Sequence, residues 1–254
     1  MLRRVFRCLL IRLVLGLPVP VGGAELTLKI EPRWQRAALV VPSGPLVTTE
    51  GQTIRVTRLA AVLSGISLLR RDGGTVRLDG QFGAIDAESG RLEVPLRGIP
   101  DADYVGLELQ IGVPPGINHG DPGQWAAGHP LNPLVNNLHW SWQGGYVFFA
   151  LEGRWAAGAG EERGFLYHLG TDARLMTVRF AAEFRVQAAS VITLAVDLAR
   201  IFRGHRLVAD DASESTHSGK DDALAPRLGE VSERAWFWIG AETCLLYTSP
   251  SPRD

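Results

Sequence analysis

The side chains best suited to metal chemistry in this 254-residue chain are its six histidines. His119 lies in the turn-forming stretch Asn-His-Gly-Asp-Pro, and His168 lies near the end of the strand-like stretch Phe-Leu-Tyr-His-Leu-Gly. Two or three imidazoles that a fold brings together can hold copper or zinc. The chain contains neither His-x-His nor His-Glu-x-x-His, so spacing alone leaves ordinary hydrogen-bonded histidines as the alternative.

Residues 117–149 gather three of the six histidines and three of the seven tryptophans. Trp125 lies in a loop of small and turn-forming residues, six positions after His119. A loop tryptophan can be a packing residue, a platform for a sugar or a contact for a partner protein. We therefore keep Trp125 and the nearby His129 as candidates for an additional ligand or a modified side chain.

The end of the same stretch is predicted to be one strand that begins at His139 and contains a bulge at its Gly-Gly pair. Because strand side chains alternate, Trp140 and Trp142 point to the face opposite His139. We expect both tryptophans to pack in the core. His139 and Trp142 remain secondary candidates for the site.

Familiar catalytic patterns do not occur in the sequence. There is no glycine-rich phosphate loop and no Gly-x-Ser-x-Gly nucleophile turn. Glu152 and Asp197 are single acids within apolar strands, and we interpret them as structural residues rather than as a glycosidase pair. The polar stretch around His217 is interpreted as a solvated loop. We predict no catalytic residues and no enzyme.

The two ends of the chain are predicted to lie outside the folded domain. Residues 1–24 have the basic, apolar and small-residue segments of a secretory signal peptide, which predicts a periplasmic or secreted protein. Residues 244–254 resemble the translation of a sequencing-library adapter, and we interpret them as read-through that is not native. Both cysteines lie in these ends, so the predicted domain, residues 25–243, has neither a disulfide nor a thiolate ligand.

The remaining chain is composed mainly of short stretches with the two-residue alternation of β-strands, separated by Gly, Pro and Asp. This pattern predicts an all-β fold: a single antiparallel β-sandwich, Greek-key or immunoglobulin-like, with long loops and one short C-terminal helix from Leu224 onward. The segment at residues 57–69 fits either a short helix or a strand with a bulge. The domain is mildly acidic and has no basic run, which disfavours nucleic-acid binding, and no later segment is apolar enough to span a membrane.

Several motifs in a fixed order carry a resemblance to a known family. Asn-His-Gly-Asp-Pro is followed by His-Pro-Leu-Asn-Pro-Leu, then by His-Trp-Ser-Trp-Gln-Gly-Gly-Tyr and then by Tyr-His-Leu-Gly. This succession, from about residue 58 to about residue 203, resembles the MbnP-like family of secreted copper-binding proteins, also called metallo-mystery pair proteins. The four-cysteine branch of that family has a cysteine after His-Leu-Gly, which this chain lacks.

The resemblance implies a β-sandwich that binds copper, with His119 and His168 as the ligands. It also implies a partner, a MauG-like di-heme cytochrome c peroxidase, which in some members converts a tryptophan beside the copper to kynurenine. Trp125 matches that tryptophan best, and Trp142 is the competing position. Indole has no lone pair to give a metal, whereas the aniline nitrogen of kynurenine can bind Cu(I), which tolerates low coordination.

Two functions of different classes follow. The leading hypothesis is a non-enzymatic, periplasmic or secreted copper-binding protein. The alternative is an extracellular carbohydrate- or peptide-binding module, which predicts a line of exposed aromatic side chains and no convergence of histidines. A copper oxidase or a hydrolase ranks last, because the sequence offers no acid–base pair.

Overall fold

The computed structural model describes residues 23–141, 144–158 and 160–244. The predicted signal peptide and the adapter-like tail lie outside the described residues, apart from residues 23, 24 and 244. The described strands are β1 (Ala24–Trp34), β2 (Ala37–Ala38), β3 (Leu46–Val47), β4 (Thr53–Arg70), β5 (Thr75–Arg77), β6 (Gly83–Asp86), β7 (Glu93–Ile99), β8 (Ala102–Ile111), β9 (His139–Trp140), β10 (Gly145–Ala156), β11 (Arg163–Gly170), β12 (Met176–Val186), β13 (Ala189–Asp197), β14 (Ser215–Thr216) and β15 (Trp236–Cys244). The α-helices are α1 (Pro115–Asn118), α2 (Pro133–Asn136), α3 (Leu198–Phe202) and α4 (Leu224–Glu233), and short 3-10 turns cover Pro122–Gln124 and Asp172–Arg174.

The strands form two sheets. The larger sheet has the order β12-β8-β4-β10-β11-β14, with β3, β5 and β6 also paired to β4 and β9 paired to β10. The smaller sheet has the order β15-β13-β1-β2, with β7 also paired to β1. The prediction of a mainly β fold is confirmed, as is the C-terminal helix that begins at Leu224.

The sheets are mixed, so the antiparallel pairing in the predicted sandwich is wrong. Strand β1 pairs with β13 in parallel, and β11 pairs with β14 in parallel. Parallel neighbours need a long crossover connection, and more than 150 residues separate β1 from β13 along the chain. Nothing in the local two-residue alternation distinguishes a parallel from an antiparallel neighbour.

One buried hydrophobic cluster contains residues of both sheets. In β1, Leu26, Leu28 and Ile30 are fully buried, and in β13 Ile192 and Leu194 are as well. These belong to the same cluster as the inward side chains of β4, β8, β10 and β11. Complete burial of a leucine or isoleucine side chain stabilises a fold by roughly 1.5–3 kcal/mol. The alternation of these apolar residues with more exposed ones along each strand therefore fixes which face of the strand points inward.

A second buried cluster covers the opposite face of the larger sheet. We call it the outer cluster, and its members are Ala60, Val62, Val113, Leu131, Leu138, Trp140, Tyr146, Val147, Phe148 and Ala150. The loops that contain α1 and α2 lie over it, and the hydroxyl of Tyr146 donates a hydrogen bond of 2.7 Å to the carbonyl of Leu131. The long segment between β8 and β9 is therefore held on the sheet by packing and by buried polar contacts.

The ambiguous segment at residues 57–69 belongs to the long strand β4. Its register shifts between Ser64 and Ser67, and Gly65 between them has a φ of 57°. This is the predicted strand with a bulge, and a glycine suits the left-handed backbone there. Residues 59–63 are buried on both faces because the outer cluster covers one face and the main core covers the other. Burial on both faces removes the alternation that would have identified the strand.

The predicted single strand from His139 to residue 149 is instead a hairpin. Strand β9 ends at Trp140, and Gly145 in β10 pairs back with it. The N–H of Gly144 donates a 3.0 Å hydrogen bond to the carbonyl of Trp140, and Gly144 has a φ of 68°. The Gly-Gly pair therefore closes a turn, because glycine adopts left-handed conformations without steric cost.

Gly153 marks a close approach of strands, and its replacement by alanine is expected to destabilise the fold by about 3 kcal/mol. A β-carbon there would meet the carbonyl oxygen of Arg55 on β4 and lie 2.5 Å from the ring of Phe165 on β11. Gly164→Ala on β11 is the matched control, because a β-carbon there would meet nothing within 4 Å. Chemical denaturation measures both variants, and equal stabilities of the two would contradict the packing described here.

A buried polar chain fixes β11 against α4. His205, which is 2% exposed, contacts the Tyr167 hydroxyl at 2.8 Å through Nε2 and the Arg227 guanidinium at 3.2 Å through Nδ1. A guanidinium can only donate, so Nδ1 accepts and Nε2–H donates to Tyr167, whose hydroxyl donates to the carbonyl of Ser213. Burial, and then the charge of Arg227, lower the pKa of His205.

This lowered pKa predicts a dependence of stability on pH. The unfolded histidine takes up its proton near pH 6.5, whereas the folded one resists protonation, so the free energy of unfolding falls as the pH drops below about 6.5. His205→Gln removes this contribution, and its stability should decrease less than that of the wild type between pH 7 and pH 5. Denaturant titrations at both pH values measure the difference, and identical pH dependence would refute the assignment.

Candidate metal site

His168 on β11 is held by a carboxylate and keeps one ring nitrogen unused. Its Nε2 lies 2.8 Å from Oε1 of Glu152, which also accepts a 2.8 Å hydrogen bond from Nη1 of Arg58. The contact with His168, and then those with Arg58, lower the pKa of Glu152 to about 2 although burial opposes this. An ionised carboxylate only accepts, so Nε2 of His168 carries the hydrogen.

The other nitrogen of that ring, Nδ1, is buried and has no hydrogen-bond partner among the described residues. Buried polar atoms are normally satisfied, and an exception calls for a functional explanation. In the tautomer that Glu152 imposes, Nδ1 of neutral His168 carries a lone pair. This is the arrangement of a metal-binding histidine, whose second nitrogen typically donates to a carboxylate.

The ring of His217 contacts that of His168. His217 follows β14, which pairs in parallel with β11, and the two rings lie 5.4 Å apart between centroids at an angle of 84°. The His217 side chain is exposed, but partial desolvation, and then the neighbouring His168, lower its pKa. A lowered pKa favours the neutral imidazole that a metal ligand must present. The prediction of a solvated loop agrees with the exposure of His217. The sequence did not indicate that this residue lies beside His168, because the strand pair that places it is not visible in the local sequence.

Trp140 contacts both imidazoles. Its ring centroid lies 6.3 Å from that of His168 and 6.3 Å from that of His217. The side chain is 7% exposed, and its ring is so close to Gly170 that a β-carbon there would lie 2.5 Å from it. The prediction that Trp140 packs in the interior is confirmed, and the structure adds that its neighbours are histidines.

His119 lies at the end of α1 and is largely exposed. Its Nε2 lies 2.8 Å from Oδ2 of Asp172, and the buried Asn118 donates to Oδ1 of the same carboxylate at 2.8 Å. Asn118 also accepts a 2.8 Å hydrogen bond from the N–H of Tyr146, which fastens α1 to the hairpin. Asp172 comes four residues after His168, so both carboxylate-held histidines lie near the end of β11.

In the described part of the chain, no ring contact or hydrogen bond joins His119 to His168. Nor do three or more His, Cys, Asp or Glu side chains converge on one point among those residues. The joint role of His119 and His168 in one metal site stays a prediction.

The other described candidates pack on or beside the outer cluster. Trp125 stacks on His129 with ring centroids 4.3 Å apart at 8°, and Phe82 meets Trp125 edge-on at 5.6 Å. His139 packs edge-on against Tyr146 at 5.0 Å, and burial lowers its pKa. These side chains make packing contacts in the structure. Trp142 lies outside the described residues.

These features define a two-sheet β protein that carries carboxylate-held histidines at one end of a strand. The family model described as MbnP matches residues 23–218, a range that includes His119, His168 and His217. The chain therefore belongs to the MbnP family, which confirms the resemblance drawn from the order of the motifs.

A solved structure of MbnP from Methylosinus trichosporium is similar in fold. It aligns with a TM-score of 0.58 and 15% sequence identity over 80% of this chain and 86% of the other chain. At this identity the likeness concerns the fold. The comparison with curated proteins yields no match. Among the described residues, no helix has the length and apolar character that crossing a bilayer requires.

Proposed function

We propose that this protein binds copper through His168, with a second imidazole from His217, in the periplasm or outside the cell. The observation that carries the proposal is the buried, unpartnered Nδ1 of His168, with the ring of a second histidine 5.4 Å away between centroids. His119, which the family motif favours, is the alternative second ligand. The protein acts as a carrier or store of copper and not as an enzyme.

The donor set fits copper. Imidazole suits copper, and Cu(I) accepts as few as two donors, whereas structural zinc sites take four ligands and catalytic ones three plus water. Glu152 would serve as the outer carboxylate that fixes the tautomer and the orientation of His168.

Metal analysis of the purified protein tests the ligand assignment. Wild-type protein loaded with copper and desalted should retain one copper per chain. His217→Ala is expected to lower the retained copper strongly, and His119→Ala is expected to lower it less. The reverse order would transfer the second ligand to His119, and full retention in both variants would defeat both assignments.

The proposal extends to a modified tryptophan and a partner. Trp125 is the candidate from the family motif, but Trp140 is the tryptophan whose ring contacts His168 and His217. We therefore favour Trp140 as the side chain that a MauG-like di-heme cytochrome c peroxidase would convert to kynurenine. The product's aniline nitrogen would then supply a further donor.

Intact mass after co-expression with such a peroxidase tests this extension. Conversion of tryptophan to kynurenine removes one carbon and adds one oxygen, a gain of about four daltons. We expect the gain on the peptide that contains Trp140 and Trp142, and fragmentation separates these two positions. A gain on the peptide of Trp125 would restore the motif-based assignment.

The carbohydrate- or peptide-binding alternative has less support. It requires exposed aromatic side chains in a line, but Trp140 is buried, and Trp125 stacks on His129 and meets Phe82 edge-on. This alternative would be favoured if a binding screen found a glycan ligand and the purified protein retained no copper.

A further inference from the structure

Four arginines meet at one end of the smaller sheet. Arg33 and Arg36 come from the end of β1 and the turn to β2, and Arg200 and Arg203 come from α3 and the residue after it. Together with Gln35, Asp197, Ala199 and Phe237, they line a cavity of about 360 Å³. We call it the arginine cavity.

The charge of this cavity contrasts with that of the chain. Its lining holds four guanidiniums and one carboxylate, that of Asp197, whereas the whole chain has a formal net charge of −1. Arg36 and Arg203 make no ion pair with any described carboxylate and are exposed to solvent. Like charges held together repel one another, so such a cluster concentrates anions from solution.

Asp197 holds together two of the segments that line the cavity. It is buried, and its Oδ1 accepts hydrogen bonds from the N–H of Gln35 at 2.8 Å and of Ala199 at 3.1 Å. Its Oδ2 lies 3.6 Å from Nε of Arg200. The carboxylate thus fastens the β1–β2 turn to the start of α3, and Gln35 keeps a φ of 59° in that turn. Asp197 therefore pairs with Arg200, and Glu31 pairs with Arg33 at 2.9 Å, which leaves Arg36 and Arg203 without an ion pair among the described residues.

Two of the arginines are held in place. Arg33 donates through Nη2 to Glu31 and through Nη1 to the carbonyl of Arg36, both at 2.9 Å. Arg200 donates to the carbonyl of Arg234 at 3.1 Å and lies over the ring of Phe237, 5.4 Å from its centroid. A cation on an aromatic face is stabilised by the ring's electrons. The cavity therefore has two pre-oriented guanidiniums beside the two unpaired ones.

We propose that the arginine cavity binds a small oxyanion with two or more negative charges. The guanidinium fork matches the paired oxygens of carboxylates and phosphates and binds them through two parallel hydrogen bonds. The volume lies at the lower end of the range for small-molecule sites, which fits a compact ligand such as a polycarboxylate or a phosphate ester. The cavity shares no residue with the proposed copper site, so the proposal is independent of it.

Isothermal titration with citrate and with pyrophosphate, at constant ionic strength, tests the proposal on the full chain. The two probes distinguish carboxylate from phosphate ligands. We expect saturable binding of at least one probe with one site per chain. The double variant Arg36→Gln/Arg203→Gln should bind it about tenfold more weakly or worse, because hydrogen bonds to charged groups are the stronger ones.

Arg77→Gln is the matched control, since Arg77 is exposed and makes no ion pair among the described residues. Its affinity should equal that of the wild type. Absence of saturable binding for both probes would overturn the proposal, as would equal affinity in the double variant. Binding of an acidic peptide without binding of either probe would also overturn it, because that result would assign the surface to a protein partner.

Discussion

His168→Ala is expected to abolish stoichiometric copper binding. Its Nδ1 is buried, lacks a partner and lies in a ring that Glu152 holds through Nε2. Loss of an outer-shell partner typically costs about 10- to 100-fold in metal affinity, and loss of the ligand itself should cost more. Competition with a chromophoric Cu(I) chelator measures the affinity.

His139→Ala is the control for this prediction. His139 is partly exposed like His168, but its ring packs against Tyr146, and no described ring contact or hydrogen bond joins it to His168. We expect its copper affinity to match that of the wild type, with thermal unfolding as a check that both variants are folded. If His168→Ala bound copper as tightly as the wild type, the site would have to be sought elsewhere.

Glu152→Gln is expected to weaken copper binding by about 10- to 100-fold while one copper per chain still binds at saturation. The amide keeps the shape of the side chain and can still accept from Arg58. It loses the charge that favours the Nε2–H tautomer of His168. Glu152 acts here as a positioning residue, because its effect on copper passes through His168.

Glu162→Gln controls for the loss of a carboxylate. Glu162 pairs with Arg55 at 3.0 Å on an exposed part of the same sheet, and exposed ion pairs contribute little to stability. Its copper affinity should be unchanged. A Glu152→Gln protein with wild-type affinity would show that the carboxylate does not orient the ligand.

The sequence predicts strands well where one face is buried. In β1, Leu26, Leu28 and Ile30 alternate with more exposed residues, and the structure buries all three. In β4 the alternation disappears because both faces are covered, so helix and strand could not be distinguished. The order of the strands in the sheets could not be predicted for a different reason. The parallel pairing of β1 with β13 depends on contacts between segments that are distant in the sequence.

The candidate site was predictable in part. The motif order named His168 as a candidate, and Glu152, interpreted from the sequence as a hydrogen-bonded structural acid, has partners in His168 and Arg58. His217 lies in a polar stretch without local signal, and it reaches His168 only because β14 pairs with β11. Trp140 was predicted to be buried, but its histidine neighbours depend on the β9–β10 turn, where a continuous strand was predicted.

The central claim is that copper is held by histidine imidazoles, with His168 among them. X-ray absorption spectroscopy of the copper-loaded protein tests this most directly, because the scattering pattern identifies the ligands. We predict a shell of nitrogen scatterers with the multiple scattering of imidazole and no sulfur, and we predict its loss in His168→Ala. A sulfur shell, or an imidazole shell that persists unchanged in His168→Ala, would contradict the account.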